Sequence, residues 1–258
     1  MQDTNKLWNL VKSLKSPEYK WIDLTHELSP ETPHWYGFKP LTGELLFDYT
    51  DGTQEEKLAP MRCHQWSVAS QYGTHTDVPV HFHEEGRDMS QISLKELVYP
   101  LVVIDKSKEC EENPDYTLSV DDIIDWESEH GTIPPNSFIA FRTDWYKKDD
   151  IENKDENGQP HYPGWDIEAI KFLVNERNIG AIGHETADTD PSTITTVEDS
   201  YPYPGEQYIL AEDKIQIEVM RNLDQLPATG SIIFIGFPKL KNGTGFPTRV
   251  YAIAPAFE

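Results

Sequence analysis

Three histidines and one aspartate stand close together in the segment 71–83. If this segment is extended, its side chains alternate between two faces, and His75, Asp77, His81 and His83 point the same way. Imidazole nitrogens and a carboxylate oxygen on one face can bind a divalent cation such as zinc or manganese. The segment is therefore a candidate metal site, and a histidine-rich surface turn without a metal is the alternative interpretation.

A proline inside this segment separates its histidines into two groups. Pro79 cannot donate to a sheet ladder, so the strand should end or bend between Asp77 and His81. That bend would let His81 leave the metal ligands and act as a base or proton carrier. We therefore expect ligation by His75 and Asp77, and proton transfer by His81.

Two ligands do not hold a catalytic cation, because such a site needs at least three protein groups and open positions. The remaining ligand must come from elsewhere in the chain, and spacing alone does not choose among the candidates. The alternating strand at 214–219 offers Gln216 and Glu218, and the end of the small-residue strand at 179–184 offers His184 and Glu185. The late loop offers Glu206.

Other catalytic motifs are missing from the sequence. It contains no His-Glu-x-x-His zinc motif, no Walker-type phosphate loop, no Gly-x-Gly-x-x-Gly opening a helix and no Gly-x-Ser-x-Gly elbow. Metal-assisted hydrolysis is the enzyme class that the residues support best. In that class the cation lowers the pKa of bound water towards about 7 and polarises a carbonyl.

Composition excludes several kinds of partner. The 258 residues include 22 basic and 45 acidic side chains, which gives a formal net charge of −23. Such a field repels nucleic acid and anionic membrane surfaces. Two cysteines are too few for a disulfide framework, and neither an apolar run of about 18 residues nor a signal pattern occurs. We expect a cytoplasmic protein that acts on a small-molecule substrate.

The pattern of apolar residues predicts one compact α/β or α+β domain without a linker. Helices are expected at 5–20, 119–127 and 166–178, and buried strands at 101–104, 138–143, 179–184 and 231–236. A Tyr- and Pro-rich loop is expected at 201–204, with Glu206 in the same late loop.

The segment 71–81 resembles the His-x-Gly-Thr-His-x-Asp-x-Pro-x-His signature of the putative cyclase family, which includes bacterial kynurenine formamidases and isatin hydrolases. Further blocks that look like the family stand at 23–26, 29–35, 141–143, 183–191, 218–227, 237–239 and 245–247. The resemblance implies an α/β fold of the swivelling β/β/α type, as a single domain over residues 1–258 with a mixed sheet core flanked by helices. It also implies metal-dependent hydrolysis of a C–N bond, in an aryl formamide or a cyclic amide such as an isatin-like lactam. Since the family is commonly oligomeric, we expect a homodimer or homotetramer.

The resemblance also assigns roles residue by residue. His75 and Asp77 match metal ligands, and His81 matches the general acid/base. Glu218 matches the distant metal-binding position, and Trp35 matches an aromatic residue near the substrate. His184 is a further candidate for lining the substrate site.

The sequence departs from the family pattern at two positions. Gln71 stands where the first histidine of the signature binds metal, and Glu206 lies near the place where the formamidase branch has a histidine for a second cation. Both differences favour one zinc or manganese ion over two, although Gln71 could still ligate through its carbonyl oxygen. A lactone-hydrolysing family member and a non-catalytic, metal-free binding protein on the same fold are the alternative functions.

Overall fold

A computed structural model describes residues 5–49, 61–195 and 201–256, and the elements below belong to these ranges. The strands are β1 Tyr19–Asp23, β2 Thr42–Phe47, β3 Cys63–Ser67, β4 His75–Asp77, β5 Val98–Asp105, β6 Thr117–Leu118, β7 Phe138–Arg142, β8 Gly164–Trp165, β9 Ala181–His184, β10 Ile215–Glu218, β11 Ser231–Gly236, β12 Gly245–Pro247 and β13 Arg249–Pro255. The helices are α1 Lys6–Leu14, α2 Ser107–Glu112, α3 Val120–His130, α4 Ile167–Arg177, α5 Ser192–Thr195 and α6 Pro204–Ala211. None of these helices is long and apolar enough to cross a membrane.

One nine-stranded mixed sheet has the strand order β1-β13-β11-β5-β7-β9-β10-β4-β12, so the first and last strands of the described chain are neighbours. Its central strands β5, β7, β9 and β10 run parallel, and the flanking strands pair antiparallel. The remaining strands form two small two-stranded sheets, β2 with β3 and β6 with β8. The predicted α/β class, a mixed sheet core flanked by helices, is confirmed.

Both faces of the central strands are buried, which explains their nearly continuous apolar sequence. On one face, Ile139 and Ile182 pack in a core cluster with Trp126 of α3, Leu173 of α4 and Ile209 of α6. On the other face a second cluster is built from strand residues that alternate with these along the chain: Val103, Phe138, Ala140, Ala181, Ile215 and Ile217.

The predicted helices at 119–127 and 166–178 are confirmed, and each begins at a capping side chain. Ser119 and Asp122 form a reciprocal capping box, and the carboxylate of Asp166 accepts a hydrogen bond from the backbone N–H of Glu168. The first helix is shorter than predicted because it ends at Leu14, before β1 begins at Tyr19.

The structure corrects one local prediction, because Glu206 lies in a helix rather than in a loop. Helix α6 begins at Pro204, and proline suits the first helical position because no hydrogen bond is required of its nitrogen there. The carboxylate of Asp190 accepts hydrogen bonds from the N–H groups of Gly205 (2.8 Å) and Glu206 (3.1 Å). Asp190 comes from the loop after β9, so the sequence around Glu206 does not reveal this cap.

The carboxylate of Glu185, directly after β9, ties together the ends of two central strands. Its Oε2 accepts hydrogen bonds from the backbone N–H of Thr143 (2.9 Å) and of Trp145 (3.3 Å). Its Oε1 is buried and has no hydrogen-bond partner among the described residues. Burial raises the pKa of Glu185 to about 7, against the opposing effect of the Thr143 hydrogen bond.

We predict that Glu185 makes the protein less stable as the pH rises. The unfolded chain ionises this carboxyl at its ordinary pKa, so the folded state binds more protons between about pH 4.5 and 7, and its stability falls in that window. The loss attributable to Glu185 should reach about 3 kcal/mol at pH 8. Urea unfolding at pH 5, 6, 7 and 8 should show that the free energy of unfolding falls less with rising pH for Glu185→Gln than for the unmodified protein. Glu176→Gln, at an exposed position, is the control. Equal slopes of the free energy of unfolding against pH for all three proteins would contradict the prediction.

Candidate metal centre

The pairing of β4 with β10 brings the predicted metal ligands together. In this antiparallel pair His75 lies opposite Glu218, and Asp77 lies opposite Gln216. Directly opposed residues share a face of the sheet, so all four side chains point to the same side. The alternate residues of β10 join the core on the other face. This register therefore places two of the candidates that sequence spacing leaves open, Gln216 and Glu218, beside His75 and Asp77.

His75, Asp77 and Glu218 form a compact buried group. The Nε2 atom of His75 lies 3.3 Å from Oδ2 of Asp77 and 3.4 Å from Oε2 of Glu218, and one potential ligand atom from each residue lies within 4.8 Å of the others. The Nδ1 atom of His75 is 2.8 Å from the carbonyl oxygen of Gly73, which directs Nε2 toward the carboxylates. One imidazole and two carboxylates are a donor set that fits a divalent cation.

The charges of this group are poorly balanced by the protein itself. Burial acts to lower the pKa of His75, but the carboxylates of Asp77 and Glu218 outweigh it and raise the pKa well above its ordinary value. Burial raises the pKa of Glu206, and the neighbouring charges of Glu218 and Asp77 raise it further. Among the described residues, only histidines form ion pairs with these three carboxylates. A divalent cation would offset this excess of buried negative charge.

Gln216 occupies the space between the carboxylates. Its Nε2 donates to Oε1 of Glu206 (2.9 Å) and to Oε1 of Glu218 (3.1 Å), and it lies 3.3 Å from Oδ2 of Asp77. The hydroxyl of Thr189 donates to its Oε1 (2.8 Å), which fixes the orientation of the amide. The strict alternation of 214–219 is the sequence signal that puts Gln216 beside Glu218.

His81 stands at the edge of the group rather than inside it. β4 ends at Asp77, and the chain turns through a short 3₁₀ segment, Pro79–His81, so the bend predicted from Pro79 is confirmed. The His81 Nε2 lies 3.9 Å from Oδ1 of Asp77 and 3.8 Å from Oε1 of Glu206. Its side chain is 27% exposed, whereas that of Asp77 is fully buried. The ring therefore has access to the metal group and to the adjacent cavity.

A cavity of about 180 Å³ opens beside the buried group. Its polar side is formed by His75, His81, Glu206 and Glu218. Its apolar side is a wall of aromatic residues, Trp35, Phe38, Phe82 and Tyr203, so Trp35 lies where an aromatic near a substrate is expected. Of these four, only Trp35 was expected from the sequence. Phe38, Phe82 and Tyr203 join it in one wall only when the chain folds.

Gln71 and His184 occupy different surroundings. Gln71 lines the cavity, but its side-chain oxygen accepts from the hydroxyl of Ser70 and its Nε2 donates to Oγ1 of Thr244 (3.2 Å). His184 is fully buried behind Glu218, with Nε2 3.4 Å from Oε1 of that carboxylate. Metal ligation by Gln71 and substrate binding by His184 stay predictions.

Known proteins match this chain over most of its length. The family model described as "Putative cyclase" matches residues 22–191. A curated isatin hydrolase from Roseibium aggregatum is 31% identical and covers 99% of both chains. The structure of isatin hydrolase A from Labrenzia aggregata bound to benzyl benzoate is 36% identical, has a TM-score of 0.86 and covers 96% of this chain and 99% of its own.

A more distant match is partial. A kynurenine formamidase from Bacillus anthracis is 27% identical over 88 residues, which is 34% of this chain and 39% of that protein. The isatin hydrolase matches therefore span nearly the full chain, whereas this formamidase match is confined to a segment. This chain belongs to the putative cyclase family, and it is a hydrolase that acts on carbon–nitrogen bonds other than peptide bonds.

Proposed function

We propose that this protein is a divalent-metal-dependent hydrolase that opens the C–N bond of an aryl formamide or of a cyclic amide such as an isatin-like lactam. The observation that carries the proposal is the convergence of His75, Asp77 and Glu218 beside an aromatic-lined cavity. The full-length similarity to isatin hydrolases favours the cyclic amide.

One zinc or manganese ion would be held by His75, Asp77 and Glu218, with the side-chain oxygen of Gln71 as a further proposed ligand. When bound, the cation lowers the pKa of a water molecule to about 7 and polarises the carbonyl of the substrate. The amide N–H₂ of Gln216 points at the carboxylates of Glu206 and Glu218. Because an amide nitrogen cannot ligate a cation, its position disfavours a second ion there.

His81 is the proposed general acid/base. Its ring lines the cavity, and its Nε2 lies within 4 Å of carboxylate oxygens of both Asp77 and Glu206. From that position it can accept a proton from the attacking water and deliver it to the departing nitrogen. Trp35, Phe82 and Tyr203 would stack against the aryl ring and place its amide carbonyl near the ligands.

The proposal includes a small-molecule substrate, a cytoplasmic location and a homodimer or homotetramer. Support for self-association comes from the ribbon of β2 and β3, whose residues are all exposed. It carries large apolar side chains, among them Leu45, Phe47 and Trp66, and an isolated two-stranded ribbon is at best marginally stable. Light scattering after size exclusion would measure the mass, and a monomer at every concentration would contradict this part.

Removing the metal should abolish turnover. We expect dialysis against a chelator to eliminate hydrolysis of isatin and of N-formylkynurenine, and added manganese or zinc to restore it. Elemental analysis should find about one metal ion per chain, and His75→Ala should reduce that content. Full activity in the metal-free protein would contradict the metal-dependent mechanism. A purified protein without zinc, manganese or iron that stays inactive after metal addition would support a non-catalytic binding protein instead.

The substrate class needs its own comparison. We expect the rate enhancement over uncatalysed hydrolysis to be larger for isatin than for a matched aryl lactone, because a nitrogen leaving group needs the proton carried by His81 more than an oxygen leaving group does. A larger enhancement for the lactone would favour the lactone-hydrolysing alternative.

Replacing His81 should separate catalysis from metal binding. His81→Ala should lower kcat by about 10² to 10⁴-fold while metal content stays that of the unmodified protein. His83→Ala is the matched control, since His83 lies two residues away and does not line the cavity. Loss of the metal in His81→Ala would make His81 a ligand, and an unchanged kcat would remove it from the mechanism.

A further inference from the structure

A second cleft lies near the end of β1 and the start of β13, and it shares no lining residue with the aromatic cavity. Its volume is about 540 Å³. The residues that matter for its chemistry are His26, Thr74, Arg221, Thr248 and Arg249. The cleft also has two carboxylates, Asp23 and Glu27, so its two arginines do not make it basic as a whole, and the pairing of each arginine decides its chemistry.

Arg221 differs from the other arginine of the cleft. Arg249 is paired with both carboxylate oxygens of Asp23, at 3.1 and 2.7 Å. Arg221 forms no ion pair with a described residue, its guanidinium lies 5.7 Å from the centre of the Tyr146 ring, and its buried Nε has no hydrogen-bond partner among the described residues. The exposed carboxylate of Glu27 borders the cleft beyond ion-pair distance of Arg221. A buried donor left without an acceptor is costly, so this position favours an acceptor from outside.

His26 provides a second unpaired atom on the same cleft. Its Nε2 is buried and, within the described ranges, has no hydrogen-bond partner. Burial and, second, the charge of Arg221 lower the pKa of His26 to about 4. The imidazole is therefore neutral near pH 7 and keeps one ring N–H as a donor.

The backbone holds these two side chains in place. The N–H of Arg221 donates to the carbonyl of Leu24 (3.2 Å), two residues before His26. The N–H of His26 donates to Oγ1 of Thr74 (2.9 Å), and that hydroxyl donates to the carbonyl of Val219 (2.6 Å). Because the hydroxyl of Thr248 also donates to a backbone carbonyl, Arg221 and His26 are the donors that these bonds leave available.

We propose that this cleft binds a small oxyanion, a carboxylate or phosphate group, through the guanidinium of Arg221 with the imidazole N–H of His26 as a second donor. A guanidinium pairs with two oxygens of such a group at once. The overall negative charge does not steer anions to the protein, so the affinity arises from these two local donors. The site is independent of the proposed hydrolytic activity.

Calorimetric titration of the metal-loaded full-length protein tests the proposal, with inorganic phosphate and acetate as separate probes at constant ionic strength. We expect saturable binding, weakened at least about tenfold by Arg221→Gln and changed less than about twofold by Arg249→Gln. The probe that binds more tightly distinguishes a phosphate from a carboxylate ligand. In the unmodified protein, the ring resonances of His26 should titrate at a higher pH when the probe is present.

Three results would overturn the proposal. The first is no saturable binding of either probe together with an unchanged His26 titration, a measurement that needs no variant. The second is binding by a folded Arg221→Gln protein as tight as that of the unmodified protein. The third is dissociation of an oligomer by Arg221→Gln, measured by light scattering, because the oxyanion would then be a carboxylate of a second copy of the chain.

Discussion

The structure depends on the antiparallel register that sets His75 opposite Glu218. This register buries carboxylates against one imidazole on the same face of the sheet, where water cannot screen their repulsion. The protein supplies hydrogen bonds from Gln216 and ion pairs from histidines, but no lysine or arginine of the described chain pairs with this group. A bound cation is the simplest way to balance such a site, and the aromatic cavity beside it determines what a metal-activated water could attack.

The elements around the register position the rest of the site. Asp190 caps α6 and thereby holds Glu206 next to His81. Pro79 begins the 3₁₀ turn after β4, and this turn places His81 at the edge of the buried group, where it also lines the cavity. The cap joins Asp190 of the loop after β9 to Glu206, and Glu206 then lies beside His81 from a distant part of the chain. The site is therefore a property of the folded sheet and its loops, and of its three proposed ligands only His75 and Asp77 are close together in sequence.

Several parts of this arrangement could be predicted from the sequence for physical reasons. Pro79 dictates a bend because it cannot donate to a ladder, and the apolar runs of β5 and β7 indicate strands buried on both faces. The helix at Pro204 was not predicted because its cap comes from Asp190 in another loop. Likewise, alternation puts Gln216 and Glu218 on one face, but only the pairing with β4 shows which residue faces His75.

We propose that His75, Asp77 and Glu218 hold one divalent cation, and the rest of the mechanism depends on this. Anomalous X-ray diffraction from crystals grown with saturating manganese or zinc tests it most directly, because it locates the ion without reference to activity. We expect one strong peak within bonding distance of Nε2 of His75 and of carboxylate oxygens of Asp77 and Glu218, at about 2.0–2.2 Å for zinc. A metal-saturated crystal with no peak between these three residues, or with its peak elsewhere, would contradict it.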